Sequence, residues 1–233
     1  MSLRKRLLVK AASAIVPSEN FKVITYTGTG ASRSVSVGFQ PDFVWIKHRG
    51  GTGSHSWTDS TRGNNLVLQS NENSAEASGQ ITLTSDGFTI GNNNALRNTS
   101  GEEYVAYCWK VNGGTTSSGS GTRISSVVNQ VNTSNGISIT TFTGANTTPT
   151  DDGNFTHGLG EVPDMFIVKT RNNSDSWFVY HKDLNGGAAP QDYAVRFTDA
   201  AEQDNVGFWN DTAPSNTHIN VGSGILVNNW TYV

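Results

Sequence analysis

The chain has 233 residues, of which 15% are charged, and a formal net charge of -3. This length allows one or two domains, and the near-neutral charge gives no general electrostatic reason to bind nucleic acid. No apolar run approaches the roughly 20 residues that a membrane span needs, so neither nucleic acid nor membrane is an expected partner. The single cysteine, Cys108, excludes a disulfide framework. Abundant Gly, Ser, Thr and Asn favour short strands joined by turns, which predicts an all-β protein.

The segment Met1 to Val16 is basic and compatible with a helix. Its Ala12-Ser13-Ala14 run fits a signal peptide, but Lys10 interrupts the apolar region and shortens it. Two other interpretations are a disordered tail or strand, and a docking segment that lays apolar side chains on a partner protein. The residues proposed for docking are Arg4, Lys5, Arg6, Leu7, Leu8 and Lys10.

A nine-residue motif occurs twice, as Pro-Asp-Phe-Val-Trp-Ile-Lys-His-Arg at 41–49 and as Pro-Asp-Met-Phe-Ile-Val-Lys-Thr-Arg at 163–171. Each copy predicts a central strand that is buried at its start and reaches water at its end. Residues 21–28 and 137–144 also match and alternate like half-buried strands, with Tyr26 and Phe142 on equivalent faces. The chain is therefore predicted to be a tandem repeat.

Other paired features support the repeat. Ser56-Trp57 matches Ser176-Trp177, and a Gly-rich hairpin is predicted at 81–93 and again at 219–229. Residues 113–122 have nothing to bury and predict a linker or exposed loop, after which Asn135-Gly136 marks a hairpin turn. The fold prediction is two tandem antiparallel β-sandwich domains, jelly-roll-like, at 21–121 and 122–233, behind an N-terminal segment at 1–20.

Few residues form a pattern that is typical of a catalytic, metal or cofactor site. The five histidines (His48, His55, His157, His181 and His218) lack the spacing of a zinc site. Residues 151–154, Asp-Asp-Gly-Asn, could offer oxygen ligands to calcium, but Asp-Gly is more typical of a turn. Asp42 and Asp164 are expected to cap turns, and neither a nucleophile elbow nor a phosphate loop is present. The sequence therefore predicts no enzyme, no metal and no cofactor.

The six tryptophans can fill a core or stack on sugar rings. Trp45 and Trp109 lie in apolar runs and are predicted to be core residues. The other four (Trp57, Trp177, Trp209 and Trp230) have polar neighbours and could be half-exposed. Trp209 has no match in the first copy, so Trp209, Asn210 and Asp211 form the candidate ligand site.

The second copy carries a recognisable set of motifs. They are Gly-Ile-Ser-Ile-Thr-Thr-Phe-Thr-Gly at 136–144, His-Gly-Leu-Gly at 157–160, Pro-Asp-Met-Phe-Ile-Val-Lys at 163–169, Trp-Phe-Val-Tyr-His at 177–181 and Trp-Asn-Asp-Thr-Ala-Pro at 209–214. Together they resemble a β-domain repeated in virion proteins of tailed bacteriophages, notably appendage and tail-fibre-like proteins of marine and cyanobacterial phages. The first copy resembles it more distantly, through residues 104–109, and lacks the Val-Tyr-His and Trp-Asn-Asp-Thr-Ala-Pro elements.

The resemblance implies a non-enzymatic virion subunit, a tail fibre or appendage that attaches through its N-terminus and projects β-domains toward the host. Implied partners are other virion proteins (a tail adaptor, nozzle or capsid protein), further copies of the chain, as a trimer in the case of a tail fibre, and a host cell-surface glycan. The alternatives are a carbohydrate-binding or glycan-degrading β-sandwich protein and a capsid-decorating protein.

The ends of the two copies can also be compared. Tyr232-Val233 aligns with Tyr104-Val105, where the first copy continues as Ala-Tyr-Cys-Trp. A closing strand cut at this point would leave backbone groups of its neighbours unpaired. We therefore expect the protein to continue beyond Val233 with a similar segment.

Overall fold

The computed structural model describes residues 17–92, 94–145, 152–197 and 201–233. The proposed docking residues Arg4 to Lys10 lie outside these ranges, as does Asp151 of the possible calcium loop. The described helices are three short 3-10 turns, Pro17–Glu19, Leu184–Gly187 and Pro190–Asp192. None of the described helices is long and apolar enough to cross a membrane.

The described residues of the first half form nine strands. They are β1 (Phe21–Thr27), β2 (Arg33–Ser36), β3 (Phe43–His48), β4 (Ser56–Asp59), β5 (Leu66–Gln69), β6 (Ala77–Ser78), β7 (Ile81–Thr84), β8 (Gly87–Ile90) and β9 (Glu103–Trp109). One antiparallel sheet has the order β1-β9-β3-β4-β5-β6, and the other has the order β2-β8-β7. The first core lies between these two sheets, where alternate residues such as Tyr26, Val44 and Phe88 are buried.

In the second half, eleven strands occur within the part of the chain that the structure describes. They are β10 (Ser117–Ser118), β11 (Gly121–Thr122), β12 (Ile124–Asn132), β13 (Ile137–Gly144), β14 (Gly153–Thr156), β15 (Met165–Val168), β16 (Phe178–His181), β17 (Tyr193–Arg196), β18 (Gln203–Asp204), β19 (His218–Val221) and β20 (Thr231–Tyr232). They form sheets of order β10-β12-β13-β20, β15-β16-β17-β18 and β11-β14-β19. A second core, which includes Phe142, Phe155 and Trp209, lies among them.

The prediction of an all-β chain with antiparallel sheets is confirmed. So is the hairpin at Asn135-Gly136, which joins β12 to β13 and has Gly136 at a φ of 64°. A Gly-rich hairpin is present at 81–90, but the predicted counterpart at 219–229 is wrong, because β19 pairs with β14 instead. The division into two tandem domains stays a prediction.

The predicted linker at 113–122 is exposed over 113–118, but residues 117–118 and 121–122 form β10 and β11, which pair with β12 and β14. The segment is also anchored at its start. The buried carboxylate of Asp42 accepts the backbone N–H groups of Val111, Gly113 and Gly114 at 2.7–2.8 Å. Three N–H donors on one buried carboxylate hold the start of this segment against β3. Asp42 therefore does the capping that the sequence predicted for it.

Candidate functional site

The two halves differ most in the strand that closes the main sheet. In the first half, β9 lies between β1 and β3 and pairs with both along seven and six residues. Its counterpart β20 pairs with β13 over only Phe142 and Thr143. A bridge from Tyr232 to Thr170 connects β20 with the end of β15, and the N–H and carbonyl of Val233 bond to Lys169 at 3.0 and 2.8 Å.

The equivalence of β9 and β20 extends to individual hydrogen bonds. The hydroxyl of Tyr104 accepts the N–H of Thr99 at 3.0 Å, and the hydroxyl of Tyr232 accepts the N–H of Val227 at 2.8 Å. Both pairs are five residues apart, and each tyrosine ring stacks on an aromatic ring of the neighbouring strand. Burial raises the pKa of the Tyr232 hydroxyl, so this group stays a neutral donor to the Ile225 carbonyl at 2.8 Å.

A cleft of about 600 Å³ opens where the continuation of β20 would lie. Its sides are residues 137–140 of β13 and 165–167 of β15, and Val233 lies at one end. Because Tyr232 pairs with a residue on each side, β13 and β15 are held one strand apart at this end. The cleft is therefore about one strand wide between β13 and β15, and we call it the strand slot.

The first half supplies another wall of the strand slot. Phe43, Trp57 and Leu68 line it, together with Trp177 from the second half. The rings of Trp57 and Trp177 meet edge to face with centroids 4.9 Å apart. The indole N–H of Trp177 donates to the carbonyls of Gln69 and Glu72. By contrast, the buried indole N–H of Trp57 has no hydrogen-bond partner among the described residues.

A buried ion network lies beside this wall. The Arg62 side chain is 1% exposed and donates to Asp59 and, at 2.6 Å, to Glu76. The other oxygen of Glu76 accepts Arg171 from the second half at 2.8 Å. Burial alone would lower the pKa of Arg62, but attraction to Asp59 and Glu76 raises it. One carboxylate thus bridges two arginines that come from the two halves of the chain.

Lys169 is a second buried cation at this junction. It is 0% exposed, and its Nζ donates to the carbonyl of Asn73 in the first half at 3.2 Å. Burial lowers its pKa to about 8, partly opposed by attraction to Asp175. The expectation that the repeated strand reaches water at its end is therefore wrong for β15. Its end is covered by the first half, and its start, Met165, is 48% exposed at the strand slot.

Two buried ionisable side chains of the strand slot, Asp59 and His157, have partners, whereas Glu161 and Asp164 lie exposed at its rim. Asp59 pairs with Arg62. His157 is 2% exposed, its Nδ1 accepts the N–H of Leu159 and its Nε2 faces the Ser215 carbonyl. Burial lowers the pKa of His157, which is consistent with a neutral ring. The slot thus offers apolar surface and strand edges, and no group of three potential metal ligands occurs among the described residues.

The predicted ligand site is not an open surface. Trp209 is 1% exposed, packs against Phe166 at 4.8 Å, and donates its indole N–H to the Tyr193 carbonyl. A ring enclosed in this way cannot stack on a sugar, so the prediction of Trp209 as a ligand contact is wrong. Asn210 and Asp211 lie in the adjacent turn with φ values of 55° and 44°. The polar residues next to Trp209 in the sequence therefore form a turn, while the Trp209 ring itself is buried in the core.

Three other tryptophans also differ from the expectation, whereas Trp57 and Trp230 are partly exposed as expected. Trp45 and Trp109 are half-buried, whereas Trp177 is 1% exposed. On β3 and β9 the core-facing positions are the neighbours Val44 and Cys108. The two tryptophans consequently lie on the other face of the sheet, because side chains alternate along a strand.

A family model described as a domain of unknown function, DUF7483, matches residues 16–233. The chain belongs to the DUF7483 family. The match spans β1 to β20, so one family model covers both cores of the DUF7483 chain. No curated protein and no solved structure matches it.

Sequence reasoning did not predict the buried junction between the two halves of this DUF7483 chain, which is formed by Arg62, Glu76, Lys169 and Arg171. Arg62 and Glu76 lie in loops of the first half and carry no motif. In the sequence, Lys169 and Arg171 stand out only as the polar end of the repeated strand motif. One difference between the two copies was visible in the sequence. Lys47 and Arg49 are followed by a glycine-rich loop, whereas Lys169 and Arg171 are followed by a loop that begins with two asparagines.

Proposed function

We propose that this DUF7483 chain is a non-enzymatic structural subunit of a tailed-bacteriophage particle. In this role it is a tail fibre or other external appendage, attached through residues 1–16, and its β-structure extends toward the host surface. The motifs at 136–214 support the proposal through their resemblance to repeated virion β-domains.

The observation that carries the proposal is the buried junction between the two halves. Glu76 bridges Arg62 and Arg171, and the Glu76 N–H donates to the Arg171 carbonyl at 2.7 Å. Trp177 of the second half is enclosed by first-half groups. Relative motion is the usual behaviour of two units in one chain unless their interface is buried and well packed. A buried junction of this kind restricts relative motion of the two halves, which supports a role as a stiff spacer in an appendage.

Two buried ionisable groups of the strand slot support a role without catalysis. Asp59 is committed to Arg62, and both ring nitrogens of His157 have partners. Acid–base catalysis requires a group that is free to exchange a proton with a substrate. The burial of Trp209 also removes the feature on which a carbohydrate-binding or glycan-degrading role rested.

The proposed partners are neighbouring virion proteins and further copies of the chain, with three copies expected for a tail fibre. Light scattering of the chain with residues 1–16 present measures this directly. A mass three times 25.0 kDa is expected at micromolar concentration. A mass of one chain would contradict the oligomer.

Imaging of labelled particles tests the role. Antibodies raised against the purified chain should decorate the tail or its fibres in negative-stain micrographs. Decoration of the capsid would favour a capsid-decorating protein, and unlabelled particles would contradict a virion role. A chain that lacks residues 2–16 should fold and yet fail to enter particles, whereas normal incorporation would contradict docking through this segment.

A further inference from the structure

Three Asn-Gly pairs occur in the chain, at 112–113, 135–136 and 185–186, and the fold holds them differently. In such a pair the backbone nitrogen of the glycine can attack the side-chain carbonyl of the asparagine, because glycine has no side chain to hinder the approach. The reaction needs a glycine N–H that is free to lose its proton and a side-chain amide nitrogen that is free to leave. The hydrogen bonds of each pair therefore decide how readily it reacts.

Both reacting groups of the pair Asn112-Gly113 are engaged. The Gly113 N–H donates to the buried carboxylate of Asp42 at 2.8 Å, and the side-chain amide of Asn112 donates to the Thr115 carbonyl at 3.1 Å. A carboxylate beside the Gly113 nitrogen also opposes removal of its proton, since two like charges would then be adjacent. Asp42 thus holds the attacking nitrogen of this pair in an unreactive state.

The pair Asn185-Gly186 is engaged at one of the two groups. The side-chain amide of Asn185 donates to the Ala188 carbonyl at 2.8 Å, and its backbone N–H donates to Glu202 at 3.0 Å. Among the described residues, no hydrogen bond holds the Gly186 N–H. The leaving nitrogen of this pair is therefore held, whereas its attacking nitrogen is free.

The pair Asn135-Gly136 is free at both groups. It lies at the tip of the β12–β13 hairpin, where Ser134 and Gly136 are exposed. Within the part of the chain that the structure describes, neither the Gly136 N–H nor the buried side-chain nitrogen of Asn135 has a hydrogen-bond partner. Gly136 is also uncrowded, since no atom beyond its chain neighbours lies within 4 Å of the place where a Cβ would be. A hairpin tip of this kind opens locally at little cost in free energy.

We infer that Asn135 is a site of spontaneous deamidation in the folded chain, and that Asp42 protects Asn112 from the same reaction. The Gly136 nitrogen loses its proton to water or hydroxide and bonds to Cγ of Asn135, and the side-chain nitrogen leaves as ammonia. Water then opens the resulting succinimide ring to aspartate or isoaspartate, so that an amide and a water molecule become a carboxylate and ammonium. The inference does not rest on the proposed virion role.

The product changes the turn that joins β12 to β13. Deamidation places a carboxylate where the buried Asn135 amide lies, and isoaspartate also adds a carbon atom to the backbone. The Asn135 N–H donates to the backbone carbonyl and the side-chain oxygen of Asn132 at 3.2 and 3.1 Å, and the Asn132 amide donates to the Val111 carbonyl of the first half at 2.9 Å. Deamidation therefore loosens a contact between this hairpin and the first half.

Ageing of the purified chain at mildly alkaline pH tests the inference, because trypsin places each pair in a peptide of its own, at 111–123, 124–169 and 183–196. Mass spectrometry follows deamidation of each pair in the folded chain and in guanidinium chloride, and the ratio of the two rates removes the effect of neighbouring residues. This ratio should be within about threefold of unity for Asn135 and at least about tenfold lower for Asn112, with Asn185 between them. Equal ratios for Asn135 and Asn112 would overturn the inference.

Two variants locate the reaction and its protection. Asn135→Ser should remove the fast deamidation of the 124–169 peptide, and its persistence would place the reaction at another asparagine and overturn the inference. Asp42→Asn keeps the shape of the side chain and removes its charge, so it should speed deamidation of Asn112 in the folded chain at least about tenfold and leave Asn135 unchanged. An unchanged rate at Asn112 would overturn protection by Asp42. The comparison of folded and denatured wild type decides between the outcomes even if Asp42→Asn does not fold.

Discussion

Replacement of Lys169 by methionine should stabilise the protein at neutral pH. Lys169 is fully buried, and burial lowers its pKa from 10.5 to about 8. This difference corresponds to about 3 kcal/mol of unfavourable free energy for the charged form in the folded state. Its hydrogen bond to Asn73 can be spared, because the same carbonyl also accepts the Asp175 N–H at 2.9 Å.

The sign of the pH dependence follows from the direction of the shift. Between pH 8 and 10.5 the unfolded chain keeps the Lys169 proton and the folded chain loses it, so the stability of the wild type rises with pH. Below pH 8 both states are protonated and the full cost is present. The advantage of Lys169→Met should therefore be about 1–3 kcal/mol at pH 7 and should shrink toward zero near pH 10.5.

Urea unfolding of the wild type and Lys169→Met at pH 7 and pH 10 measures this difference. Lys47→Met is the matched control, because Lys47 has the same place in the repeated motif and its Nζ bonds to carbonyls at the half-exposed end of β3. It should not reproduce the gain. A Lys169→Met protein that is less stable than wild type by the same amount at both pH values would refute the reasoning.

Three further predictions concern stability. Glu76→Gln should cost about 3–5 kcal/mol in urea unfolding, because it leaves buried arginines without their shared carboxylate, whereas Glu103→Gln at an exposed ion pair should cost less than about 1 kcal/mol. Tyr104→Phe and Tyr232→Phe should each cost about 1–3 kcal/mol by removing the acceptor of a backbone N–H. Asp42→Ala should speed proteolysis within residues 111–118, since three N–H groups lose their acceptor.

Each of these predictions has a contradicting result. Equal costs for Glu76→Gln and Glu103→Gln would show that the buried bridge does not join the halves. A cost for only one of the two tyrosine variants would contradict the equivalence of β9 and β20. Unchanged cleavage of Asp42→Ala would show that the 113–118 segment is held by other contacts.

The sequence predicted the features that depend on neighbouring residues. Alternation placed Tyr26 and Phe142 on equivalent faces, and both are buried. The Asn135-Gly136 turn and the capping role of Asp42 also follow from local chemistry. These signals are contained within a few residues of one strand or turn, so they can be recognised without knowledge of the tertiary structure.

The site was less predictable because it depends on contacts between distant segments. Lys169 and Asn73 are 96 positions apart, and Arg171 and Glu76 are 95 apart. Periodicity assigned Lys169 to the exposed end of a strand, since nothing local shows that the first half covers it. Trp209 was misjudged for a related reason, because its polar neighbours turn away while its ring enters the core.

Amide hydrogen exchange on β3 and β15 tests most directly whether the edge of β15 that faces the strand slot is unpaired. Residues 43–46 of β3 have partners on both sides, so all of their amides should be protected. Residues 165–168 of β15 pair with β16 alone, so the amides that face the strand slot should exchange at least about a hundredfold faster. Equal protection of β3 and β15 would contradict an unpaired edge at β15.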